Sequence, residues 1–151
     1  MNRIRHWLLI LTDALDWLPG LASRITLGYI FIESGWGKLH HLDKVIQFFT
    51  SLGIPAARLQ APFVACVEFG CGTLVLLGLF TRLASVPLIG TMVVAIWTAK
   101  LKEVGDASDF LSLSEYLFIV LLVWLIIKGA GALSLDGLLC RRCGAEQCSR
   151  E

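Results

Sequence analysis

Arg24, Glu33, Lys38 and Glu68 are charged residues set in apolar surroundings, and they are the groups in this chain best suited to chemistry. The first three lie in RITLGYIFIESGWGKLHH, residues 24–41, which otherwise reads as the body of a membrane helix. Glu68 is the sole charge in LQAPFVACVEFGCGTLVLLGLF, residues 59–80. A charge at the centre of a bilayer costs roughly 2.5–3.5 kcal/mol on insertion scales, so such residues pair, bind ligands or pass protons.

Arg24, Gly28, Phe31, Gly35 and Lys38 follow a four-three-four-three spacing and share one helix face. Ala61, Ala65, Glu68, Gly72, Val75 and Leu79 do the same on the second run. Both faces carry small residues, which let backbones approach closely in lipid. The pattern predicts that the two faces meet and bury Glu68 against basic groups. With level spans, Arg24 and Lys38 each stand roughly 10 Å from Glu68 along the bilayer normal, on opposite sides. A long Arg side chain covers much of that gap, and a water or bound polar ligand covers the rest. Lys38 is expected to snorkel to the outer surface. Glu33 points about half a turn from Arg24 and is expected to meet the third or fourth span near Glu115. A purely structural reading, in which Arg24 and Glu68 hold the helices in register, carries nearly equal weight.

Other ligand-type residues give thinner signals. His40, His41 and Asp43 could hold a divalent metal, but adjacent histidines project about 100° apart on a helix and chelate poorly. Cys66 and Cys71 suit small apolar packing. Cys140, Cys143 and Cys148, in CRRCGAEQC, could form a soft-metal or redox site, although a structural zinc site wants four ligands. A simple disordered tail is the competing reading. A site shared across a dimer would supply the missing ligands.

The elements that must position these groups are helices. Apolar runs near 21–39, 59–80, 83–101 and 111–128 approach the roughly 20 residues that span a hydrocarbon core. Between the first two, Val45, Ile46, Phe48, Phe49 and Leu52 form a short interfacial stripe ended by Gly53 and Pro55. A tight turn around Thr81 and Arg82 joins the second and third runs, and KEVGDASD is a loop before the fourth. At the N-terminus Trp7, Leu8, Leu11, Leu15 and Leu18 recur at helical spacing, while Asp13 and Asp16 interrupt any signal-peptide core. The fold class is therefore all-α: a transmembrane four-helix bundle over 19–139, an interfacial amphipathic helix over 1–18, and a cysteine tail over 140–151.

Composition agrees with the bilayer as a partner. The 151 residues are 56% hydrophobic and 17% charged, with mean hydropathy +0.74, against about 45–50% and 25% in soluble domains. A net charge of +1 offers no basic stripe for nucleic acid. Loop charges favour Arg3, Arg5, Arg82, Lys128, Arg141, Arg142 and Arg150 on the cytoplasmic side, against Lys38, Lys44, Arg58, Lys100 and Lys102 outside. Both termini are then cytoplasmic.

Four groups of residues in this order resemble the DoxX family. RITLGYIFIESGWGKL is similar to its first-helix pattern through Arg24, Gly28, Gly35 and Lys38, and FFTSLGIP is similar to the segment that follows. VEFGCGTLVLLGLFTRLAS carries Glu68, Gly72, Gly78, Thr81 and Arg82 at family positions; KGAGALSLDGLL carries Gly129, Gly131, Ser134 and Asp136. Relatives often have His before the glycine matching Gly35; this chain has Ser34, which implies one polar group fewer for a site there. The resemblance covers residues 21–139 and implies a four-helix bundle in the bacterial cytoplasmic membrane. It also implies association with quinone-linked redox systems.

Three functions follow as expectations. The first is an accessory subunit of a membrane redox system, with quinone as ligand and a redox protein as partner. The sequence lacks a haem-ligand pair, flavin motif or iron–sulfur spacing, so electrons would come from that partner or the tail thiols. The second is a homo-oligomeric carrier or exporter of a metal ion or polar solute. The third is a membrane scaffold in which the charges only lock helices together.

Overall fold

The computed structural model describes residues 17–100, 107–129 and 134. Helix α1 runs Trp17–His40, α2 Leu42–Ser51 and α3 Ala57–Leu77. Helix α4, Thr81–Ala95, continues as a π-helical turn over Ile96–Lys100, and α5 (Ala107–Leu111) and α6 (Ser114–Lys128) follow. No strand occurs among the described residues. The expected amphipathic helix over 1–18 lies outside them except for Trp17 and Leu18, which already belong to α1.

Turn chemistry sets the helix ends. Gly53, at φ +73°, closes the chain beyond α2. Gly78, at φ +68°, ends α3 in a Schellman motif: Leu79 N–H donates to the Leu74 carbonyl (2.9 Å) and Gly78 N–H to the Val75 carbonyl (3.1 Å). The turn thus falls at Gly78–Phe80, earlier than expected, and Thr81 and Arg82 open α4. The expected loop before the last helix contains α5, and an extended Leu113 delays α6 until Ser114.

Helix α1 packs chiefly on α3, and α4 on α6; α3 also meets α4, and α2 lies on α3. Missing side chains make the α1–α3 crossing close. A Cβ at Gly28 would stand 2.7 Å from Leu76 Cβ, one at Gly35 2.5 Å from the Phe69 nitrogen, and one at Gly72 2.8 Å from Phe31 Cβ. The shared core of Leu27, Phe31, Val75, Ala84, Leu88, Met92, Leu122 and Leu125 joins the two pairs. Phe31 meets Phe118 edge-on, with ring centroids 6.0 Å apart.

Among the described residues, two helices are long and apolar enough to cross a membrane: Ala57–Leu77, with mean hydropathy 1.6, and Thr81–Lys100, with 1.5. Helix α1 is longer, at 24 residues, but carries Arg24, Glu33 and Lys38. Helix α6 is intensely apolar yet only 15 residues long. Large apolar side chains such as Tyr29, Phe63, Leu83, Trp97 and Ile127 stand exposed on these helices, a surface that water tolerates poorly.

Candidate functional site

Helices α1 and α3 bring Lys38 and Glu68 together, one turn beyond the close crossing at Gly35. The Lys38 ammonium donates to both Glu68 carboxylate oxygens at 2.5 Å. Ser34, one turn before Lys38 on α1, donates from Oγ to Glu68 Oε2 at 2.9 Å. Glu68 is 1% exposed and the Lys38 side chain 28%. Burial in a low-dielectric setting strengthens such bonds and makes an unpaired carboxylate costly, so the two donors hold Glu68 in place.

This geometry differs from the sequence reading at three points. Lys38 turns inward to Glu68 rather than snorkelling outward. Arg24 does not approach Glu68: its guanidinium lies beside Gly78 and Ser134, ten residues further along α3, roughly 15 Å away along the axis. The level-span assumption failed because the contacts Gly28–Leu76 and Gly35–Phe69 slide α3 along α1 until Glu68 lies level with Trp36. Finally, Ser34 supplies the polar group whose loss the resemblance implied.

The remaining residues sort by place. Glu33 is exposed and lines a shallow recess with Ser34, Gly37 and Lys38, while Glu115 borders a different cavity. Gly28, Gly35 and Gly72 form the α1–α3 crossing. Arg24, Gly78 and Thr81 gather at the opposite end, with Thr81 and Ser134 buried. Arg82 lies against Gly129, the cap of α6, as Arg24 lies against the cap of α3. Both cations face the carbonyl ends of helices, where the dipole favours them. The His40 and His41 rings donate from Nδ1 to the carbonyls of Trp36 (3.0 Å) and Gly37 (3.2 Å), back onto α1. No three His, Cys, Asp or Glu side chains gather as a metal site among the described residues. Gly131, Asp136, Cys140, Cys143 and Cys148 lie outside those residues.

The ion pair borders a cavity of about 820 Å³ lined by α1, α2, α3, α4 with its π-helical turn, and α6. That volume falls in the range of about 300–1,000 Å³ typical of small-molecule sites. Its lining is mainly apolar, from Phe48 and Phe49 on α2 to Phe63, Met92 and Phe118. Besides Ser34, Lys38 and Glu68, the polar lining comes from Lys44, Gln60, Thr91, Thr98 and Glu115. Thr91 and Thr98 already donate to carbonyls of their own helix, so their hydroxyls face a ligand as acceptors. Sequence reasoning missed Ser34 and the cavity. The i, i+4 spacing of Ser34 and Lys38 was the available signal for the first. The second depends on how two helix pairs diverge, which no local pattern encodes.

Comparison with known proteins adds a family and few functions. The sequence model of the DoxX family matches residues 20–101. The chain is 37% identical to an uncharacterized membrane protein of Mycobacterium tuberculosis, over 83% of this chain and 85% of that protein. It is 36% identical to a Bacillus subtilis protein named "Putative oxidoreductase CatD", over 77% and 83% respectively. It is 28% identical to the Escherichia coli inner membrane protein YqjF, over 79% and 90%. No solved structure matches.

Proposed function

This chain belongs to the DoxX family of membrane proteins, and from that premise we propose that it is an accessory subunit of a quinone-linked membrane redox system. The observation that carries the reading is the Lys38–Glu68–Ser34 cluster on the wall of an otherwise apolar cavity. A quinone pairs an apolar ring and tail with carbonyl oxygens, and this lining meets both. The Lys38 ammonium has three donors and spends two on Glu68, leaving one for a carbonyl oxygen. Glu68 can hold or release a proton at the same point, and Ser34 keeps the carboxylate oriented. Reduction of a quinone takes two electrons, which a partner redox protein supplies, and two protons, which come in turn from water at the partly exposed Lys38 side of the pair and pass through Lys38 and Glu68. The relative named as an oxidoreductase supports this direction.

The same proposal includes the architecture. The helices α1, α3, Thr81–Lys100 and α6 form a transmembrane four-helix bundle in the bacterial inner membrane. Up-and-down order places Lys38, Lys44, Arg58 and Lys100 at one end and Arg82 and Lys128 at the other. With Arg3, Arg5 and the tail arginines on the latter side, both termini face the cytoplasm.

Native mass spectrometry of the gently solubilised full chain tests the function. The expected result is a bound quinone or a redox partner in wild type, lost in Glu68→Gln while the helical circular dichroism persists. A bare homo-oligomer carrying metal would replace this reading with that of a carrier. Loss of function strictly in proportion to lost stability would leave only a scaffold.

A further inference from the structure

Resting on the quinone reading, we infer that the cavity opens sideways into lipid between α3 and α4. Its ligand is then a membrane-borne amphiphile whose long apolar tail lies in that gap. The packing creates the opening. Helix α3 uses its small-residue face on α1, and α4 packs on α6, so the pairs touch through the core of Val75, Ala84 and Leu88 near the Gly78–Phe80 turn. Further from the turn the two helices flank the cavity. Phe63 and Val67 border it from α3, and Pro87, Gly90 and Val94 from α4.

These wall residues also form outer surface. Phe63 is 67% exposed and Val94 48%, and Pro87 and Gly90 are exposed as well. A Cβ built on Gly90 would meet nothing within 4 Å. The charges that border the cavity, Lys38, Lys44, Glu68 and Glu115, are not among the residues of the gap. An apolar slot leading from the surface to an ion pair fits a ligand with a polar head and an apolar tail. A water-soluble solute gains nothing from such a mouth. In lipid the tail gains little from the hydrophobic effect itself, so its contribution is van der Waals packing along the slot.

The test measures binding of two ligands to the full chain in detergent micelles by native mass spectrometry, at matched micellar mole fraction. One is a tailless dimethoxy-methyl-benzoquinone; the other carries a decyl tail on the same ring. The tailed compound should bind about tenfold more tightly or better. Gly90→Phe should remove that gain and leave the tailless compound unaffected, while Gly90→Ala, which fits the open space, should match wild type. Equal binding of the two compounds, or a Gly90→Phe effect on both or neither, would overturn the lateral slot alone. Failure of wild type to bind either would sink the quinone reading and this inference with it. A copurifying phospholipid that resists the decyl compound and disappears in Gly90→Phe would assign the slot to a lipid acyl chain instead, and overturn the inference.

Discussion

Replacing Gly35 by alanine would put a methyl carbon 2.5 Å from the Phe69 nitrogen and 2.9 Å from its Cα. Nonbonded carbon contacts are comfortable at about 3.5–4.0 Å, so α1 and α3 would have to separate by about 1 Å at this level. The nearest obstruction is backbone, not a side-chain tip that can swing aside. Overpacking of this kind costs about 1–3 kcal/mol. Against it, alanine in place of glycine within a helix returns about 0.5–1 kcal/mol. Gly37 provides the control, because a Cβ there meets nothing within 4 Å and receives only the gain. The propensity gain cancels between the two variants, so Gly35→Ala should be less stable than Gly37→Ala by about 1–3 kcal/mol. Reversible unfolding of both variants in mixed micelles, followed by far-ultraviolet circular dichroism, measures the difference. Equal stability would refute the close crossing and the register built on it.

The ion pair is asymmetric, and its variants should be too. Lys38→Met strands a carboxylate that is 1% exposed and should cost about 3–5 kcal/mol. Glu68→Gln frees a lysine long enough to reach the interface and should cost less; the reverse order in the same unfolding assay would contradict the burial described. Ser34→Ala removes a hydrogen bond to a charged group and should cost about 1.5–3 kcal/mol, while Ser34→Thr retains most of it. Gly78→Ala combines a left-handed backbone with a Cβ 2.8 Å from the Ser134 Cβ, beside the buried Arg24 guanidinium. It should cost more than the roughly 1–2 kcal/mol of the backbone alone, and a thermal midpoint equal to wild type would rule that packing out.

The faces of the first two long helices were legible because periodicity is a local property. Arg24, Gly28, Phe31 and Gly35 are buried on one side of α1, and Ala61, Ala65, Glu68, Gly72 and Val75 on one side of α3, as the spacing required. Register was not legible. It depends on which glycine receives which neighbour, and a slide of a few residues preserves every face while changing the partner of Glu68 from Arg24 to Lys38. Lys38 was misjudged for a related reason: a lysine near a helix end can snorkel or turn inward, and only the depth of the carboxylate decides. Ser34 escaped notice because a short hydroxyl carries no charge to flag it. The short helix α5 was hidden at the end of a polar stretch whose composition suits a loop equally well, and the extended Leu113 inside an apolar run that reads as continuous helix.

The pairing of Lys38 with Glu68 also bears on how the protein is made. In the bundle proposed above, α1 leaves the ribosome with Arg24, Glu33 and Lys38 unmatched, and it lacks the apolar character that marks α3. The translocon would therefore meet a first segment that partitions poorly alone and a later one whose single acid neutralises it. Commitment of α1 to the bilayer then waits for residue 68 to emerge, and the two helices integrate as a hairpin. A nascent chain stalled before α3 should remain extractable, and one stalled beyond α3 should not.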